Sequence, residues 1–184
     1  MFNGKLVILR PKLPSDAAND YRWQTNTEFC RLNNKPPLKI SFYRYLDEYN
    51  KILDNPPQDK HEFAIDTLKG QFIGNCAYYD INNTSKEAEV GITIGEQDFW
   101  GKSYGYDALN LLVGYIFSNT DLKLVYLKTL VDNKRAQKCF AKCGFSYRGS
   151  FIKNGDSFIL MELDKTVWRR QLSSSNRVSE ATKQ

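Results

Sequence analysis

The chain has 184 residues, of which 41% are hydrophobic and 26% charged, with a formal net charge of +5; this suits one domain with its own core and an anionic ligand, and it excludes a disordered chain and a dedicated nucleic-acid binder. No run approaches the roughly 18 apolar residues of a membrane span, and Met1-Phe2-Asn3-Gly4-Lys5 begins no signal peptide, so a cytoplasmic protein without a membrane partner is expected. His61 is the single histidine, and Cys30, Cys76, Cys139 and Cys143 lack zinc or disulfide spacing, which leaves serine- or cysteine-histidine chemistry and zinc hydrolysis without their residues; no metal is expected.

Lys5 to Arg10 reads as a strand stopped by Pro11, and Pro14-Ser15-Asp16 opens a helix through Tyr21 and Trp23 toward Asn26. After the loop Arg31 to Lys39, a second helix starts at Ser41, carries Phe42, Tyr45, Leu46, Tyr49, Ile52 and Leu53 at helical spacing, and ends at Pro56-Pro57. His61 to Asp66, Phe72 to Asp80 and Ala88 to Ile94 read as an antiparallel meander. A long helix from about Lys102 to Asn119 follows, then a strand, Lys123 to Val131, and a helix, Asn133 to Cys143, with Gly144 as a left-handed C-cap. Strands Phe145 to Lys153 and Ser157 to Leu163 meet at the hairpin signal Asn154-Gly155. Residues 1–172 are expected to form one domain and 173–184 a polar, disordered tail. The order β-α-α-β-β-β-α-β-α-β-β implies an α/β (α+β) class: a mixed, mostly antiparallel sheet of about seven strands flanked by about four helices.

The most informative segment is the glycine-containing turn Phe99 to Ala108, between a strand and the long helix. Such a turn presents free backbone N–H groups and the positive end of the helix dipole, and so can hold phosphate. It is not a P-loop: Gly101-Lys102-Ser103 has the right ending, but Gly95 lies one residue too far upstream and Glu96 occupies the required position. It is not a dinucleotide fingerprint either, because Ser103 and Tyr104 stand where glycines are needed.

Residues Trp100 to Ala108, W-G-K-S-Y-G-Y-D-A, resemble the phosphate loop W-G-K-G-Y-G-T-E-A of the GNAT superfamily branch that contains ribosomal-protein N-terminal and spermidine acetyltransferases. Three further stretches carry the same resemblance: Leu6 to Pro11, Glu87 to Ile92, and Asn133 to Ala136 continuing to Lys142-Cys143-Gly144-Phe145. Ser103 departs from the first motif glycine.

The resemblance implies a GNAT fold and an acetyl-CoA-dependent N-acetyltransferase that moves an acetyl group directly to a primary amine: a small-molecule amine such as a polyamine or amino sugar, or a protein N-terminus. The alternative is a catalytically weak GNAT-fold module that holds acyl-CoA. It implies that the pantetheine arm pairs with the backbone of Ile92, Thr93 and Ile94, that the pyrophosphate sits on the N–H groups of Gly101, Lys102, Ser103, Tyr104 and Gly105 beside Tyr106, and that Asn133 and Phe140 line the cofactor. Glu89 is the expected general base, because an alkylamine near pKa 10.4 must lose a proton before it attacks. Many relatives place a tyrosine acid at the position of Phe140; Tyr106 and Tyr147 are the candidate substitutes. Trp23, Tyr79 and Asp80 are the acceptor-binding candidates, and a homodimer is the oligomer considered.

Overall fold

A computed structural model of the chain describes residues 1–181, with side chains through residue 173. Eight strands, β1 (Phe2–Asn3), β2 (Val7–Pro11), β3 (Lys60–Thr67), β4 (Phe72–Asn82), β5 (Glu87–Ile94), β6 (Leu124–Leu130), β7 (Ser146–Lys153) and β8 (Asp156–Asp164), form one sheet in the order β1-β2-β3-β4-β5-β6-β8-β7. Only β5 and β6 run parallel. The helices are α1 (Ala17–Thr25), α2 (Thr27–Leu32), α3 (Phe42–Asp54), α4 (Tyr104–Asn119), α5 (Lys134–Lys142) and α6 (Lys165–Ala181). The expected mixed, mostly antiparallel sheet is present, with eight strands and six helices among the described residues.

Alternation along the strands divides the helices between the two faces. Ile65 and Ile73 enter the main core with Leu109, Leu112 and Ile116 of α4, whereas their neighbours Ala64 and Phe72 pack on Trp23 of α1 on the opposite face. Phe140 and Cys143 bring α5 to the α4 side, and Trp168 of α6 lies against Phe117 with ring centroids 5.4 Å apart. Asp107, in the first turn of α4, accepts the backbone N–H groups of Leu6 (2.7 Å) and Val7 (3.1 Å), so one motif residue ties the phosphate-loop helix to the start of β2.

The local signals act as their chemistry requires. Ser41 accepts the Arg44 N–H and starts α3, Gly144 takes φ +95 after α5, and Asn154-Gly155 takes φ +52 and +86, the two left-handed residues of a type I′ hairpin turn. α6 continues to Ala181, through part of the segment expected as a polar tail from residue 173. Trp168 anchors its start against α4, and propagating an anchored helix costs far less than nucleating one. Residues 182–184 of that tail lie outside the described residues.

Candidate active site

Strands β5 and β6 pair only at Glu87, Ala88 and Glu89, opposite Leu124, Val125 and Tyr126, and then part. Beyond Glu89 the other edge of β5 stays on β4, with Ile92 opposite Cys76 and Thr93 opposite Asn75, so the backbone groups of Ile92 to Ile94 that point away from β4 have no strand partner. This is an exposed edge inside the sheet, able to pair with an extended ligand.

A cleft of about 400 Å³ opens along that edge. Ile92, Thr93 and Ile94 form one wall; Gly101, Ser103, Gly105 and Tyr106 form the second, around the start of α4; Asn133 and Phe140, on the α5 side, form the third. The sequence-expected residues Lys102 and Tyr104 share the loop backbone but not the wall: Lys102 is exposed, and Tyr104 packs edge-on to Phe99 at 4.8 Å. The indole Nε1 of Trp100 donates to the Ile94 carbonyl (2.7 Å) and so fixes the loop against the end of β5.

Ser103 is the N-cap of α4 with φ +67 and ψ +5, and Gly101 has φ +72. Both positions require the left-handed region, which is why glycine recurs at this point in the motif; serine meets the requirement at a strain of roughly 1 kcal/mol. Ser103→Gly is therefore expected to raise Tm by about 1–3 °C in a calorimetric scan. A fall in Tm would show that the serine side chain contributes more than its backbone costs.

Across the parting, Glu89 is 8% exposed and accepts the Tyr79 hydroxyl (3.2 Å) and the Lys128 ammonium. Burial, then the neighbouring carboxylate, push the Tyr79 phenol above its ordinary value, so it stays protonated and donates to Glu89. Burial alone would lower the Lys128 ammonium, but the hydrogen bond and charge of Glu89 outweigh it and hold it above its usual value. Tyr79, Glu89, Asp80 and Lys128 line a second hollow of about 580 Å³, and Ile92, Thr93, Asn133 and Phe140 border it and the first cleft alike. The two hollows adjoin along these residues, with the loop bordering the first and the carboxylates bordering the second.

The remaining candidates separate. Tyr106 stands at the loop mouth under the Lys142 ammonium, which lies 4.3 Å above its ring, and does not share the hollow with Glu89. Tyr147 is on edge strand β7 and 62% exposed, outside both hollows, so the structure does not bring it to the site. Trp23 is 4% exposed in the small core under α1, its indole donating to Glu96 (3.2 Å), and it borders only a third hollow of about 480 Å³ beneath α1 to α3. Asn133 caps α5 by accepting the Ala136 N–H (3.2 Å), which leaves its amide nitrogen for a ligand. Sequence reasoning missed Lys128, and it missed Leu32 and Asn33 at the end of α2, which with Phe29 close the cleft opposite α5; the N-cap Asn26, accepting the Phe29 N–H (2.9 Å), was the readable signal for that helix.

A family model described as the GNAT acetyltransferase domain matches residues 7–146. The chain is 26% identical over 126 residues to a spermidine N(1)-acetyltransferase of Vibrio cholerae, covering 66% of this chain and 72% of that protein. It is likewise 26% identical over 146 residues to the Escherichia coli K12 spermidine N(1)-acetyltransferase, covering 79% of this chain and 76% of that protein. Among solved structures, the Vibrio cholerae spermidine N-acetyltransferase in complex with CoA and spermine superposes with a TM-score of 0.76 at 24% identity over 88% of this chain and 97% of that one, a likeness of fold.

Proposed function

Because the chain belongs to the GNAT acetyltransferase family and is therefore an acetyl-CoA-dependent N-acetyltransferase, we propose that its acceptor is a primary amine of a polyamine. The observation that carries this reading is the pair of carboxylates Glu89 and Asp80, set with the Tyr79 hydroxyl on the acceptor side of the parted strands, where a cationic amine needs them. The relatives named for spermidine support it.

The cofactor cleft fits an anionic, elongated ligand: its described lining includes cations, backbone N–H groups and an unpaired strand edge, and no carboxylate. When bound there, acetyl-CoA supplies the thioester carbonyl. In the reading proposed, Ile92 to Ile94 hold the pantetheine by main-chain pairing, the N–H groups of Gly101 to Gly105 hold the pyrophosphate, and a backbone N–H of Ile92 or Thr93 meets the developing oxyanion. Glu89 takes the proton of the acceptor ammonium, directly or through water. Phe140 has no proton to give, and a thiol pKa near 8.5 makes the thiolate a tolerable leaving group, so the missing donor should slow the reaction without abolishing it.

A second reading, an acceptor that carries an anion beside its amine, is favoured by Lys35 and Lys153, which line the same hollow without a carboxylate partner among the described residues. The deciding experiment has two stages. A thermal shift with acetyl-CoA and none with Mg-ATP is expected, with roughly 2.7 kcal/mol of stabilisation at 100 times the Kd. Thiol release is then followed with spermidine, spermine, an amino sugar nucleotide and an acidic peptide. Turnover of polyamines at least about tenfold above the other amines is expected; preference for the sugar or the peptide would replace the first reading by the second, and absence of turnover with all of them would point to the acyl-CoA-binding module.

A further inference from the structure

Outside the reacting centre, the side of α5 that faces the phosphate loop carries a row of positive charge. Arg135, Lys138 and Lys142 line the cofactor cleft there, spaced by three and four residues and so on neighbouring turns of one strip that spans roughly 10 Å. Among the described residues, no aspartate or glutamate lines that cleft and no carboxylate lies within ion-pair distance of any of the three cations. Two of them are held instead over aromatic rings of the opposite wall: the Arg135 guanidinium lies 3.6 Å from the centre of Trp100, and the Lys142 ammonium lies 4.3 Å from the centre of Tyr106. These stacks keep the charges at the loop mouth without neutralising them.

The charge exceeds what the pyrophosphate needs. That group is already met by the backbone N–H groups of the loop and the first turn of α4, and Ala136 and Phe140, on a different strip of α5, face the pantetheine side. Three unpaired cations at the outer mouth ask for a further anion, and the only other one a CoA carries is the phosphate on its adenosine ribose. We propose that the basic strip Arg135, Lys138 and Lys142 is a recognition site for the 3′-phosphate of CoA, so that this protein discriminates CoA from its dephospho form. The inference rests on the acetyl-CoA reading above and deepens it. Trp100 and Tyr106 present ring faces beside these cations, so an adenine entering the mouth meets aromatic surface as well as charge.

Binding of CoA and of 3′-dephospho-CoA, measured by titration calorimetry on the full chain, tests it without needing the acceptor. The native protein is expected to bind CoA at least about tenfold more tightly, a ratio that shrinks as salt is raised because it is carried by exposed charges. In Arg135→Gln and Lys142→Gln the ratio is expected to fall toward one, while dephospho-CoA affinity stays within about twofold of native, which also reports that the variants are folded. Equal affinities in the native protein overturn the proposal and leave the acetyltransferase reading standing. So does an equal loss of both ligands in the variants, which would assign the cations to the pyrophosphate. Failure to bind either ligand overturns this proposal and the cofactor reading together.

Discussion

Glu89→Gln is expected to lower kcat about a hundredfold or more while acetyl-CoA affinity stays within about twofold. At pH 7 roughly one alkylamine in a few thousand is neutral, so a reaction that must wait for that fraction is slowed unless a base removes the proton in place. Glutamine keeps the shape of the side chain and one oxygen that can still accept from the Tyr79 hydroxyl or the Lys128 ammonium, so the variant isolates loss of basicity from loss of packing. Lys128→Met is the control for the ion pair: it removes the partner and leaves the carboxylate. Because the base removes the ammonium's proton in place, the native kcat/KM is expected to stay nearly flat with pH from neutrality to about pH 10, whereas in Glu89→Gln, which must wait for the neutral amine, it is expected to rise about tenfold per pH unit over that range. Because burial and Glu89 raise the Tyr79 phenol, that group keeps its proton across this range and should add no limb of its own, so Tyr79→Phe leaves the native profile unchanged. A kcat loss of less than tenfold in Glu89→Gln, with acetyl-CoA still bound, would move the base to another residue.

The sequence made the phosphate end of the site legible and the acceptor end less so, for a physical reason. The loop Trp100 to Ala108 is a local device: its glycines, its helix start and the left-handed residue at Ser103 are set by neighbours in the chain, and such features are printed in consecutive letters. The partners of Glu89 are not local. Tyr79 reaches it through the β4–β5 register, and Lys128 reaches it from β6, the one strand parallel to its neighbour, so both contacts needed the strand order before they could be seen. Tyr147 shows the same limit from the other side: a register shift between Tyr147 and Gly149 and an edge position decide where that ring points, and neither can be read from alternation alone. Helix α2 escaped because six residues are too few to show a period, although its end closes the cleft.

The largest stability effect is expected at Arg10, whose place in the opening motif L-V-I-L-R-P looked like a mere landmark. Its guanidinium is shared by two carboxylates in two bidentate pairs: Nη1 and Nη2 donate to Asp16 (2.7 and 2.8 Å), and Nε and Nη2 donate to Asp66 (2.6 and 2.9 Å). Asp16 is 2% and Asp66 8% exposed, so removing the cation strands two buried negative charges from β3 and from the turn that leads into α1. Breaking a buried pair in this way costs about 3–5 kcal/mol, and Arg10→Met is expected to lower Tm by roughly 6–20 °C. Arg10→Lys should recover less than half of that loss, since one ammonium cannot satisfy two bidentate carboxylates. The deficit should not depend on the state of Arg10 at any pH used: hydrogen bonding to Asp16 raises a pKa that is already far above neutrality. A base raised on folding contributes its full stabilisation below its unfolded value, and that covers the whole working range. A Tm loss under about 2 °C would mean that the carboxylates find other donors, such as the Leu13 N–H that already reaches Asp16 at 2.8 Å, and that the network positions α1 without stabilising it.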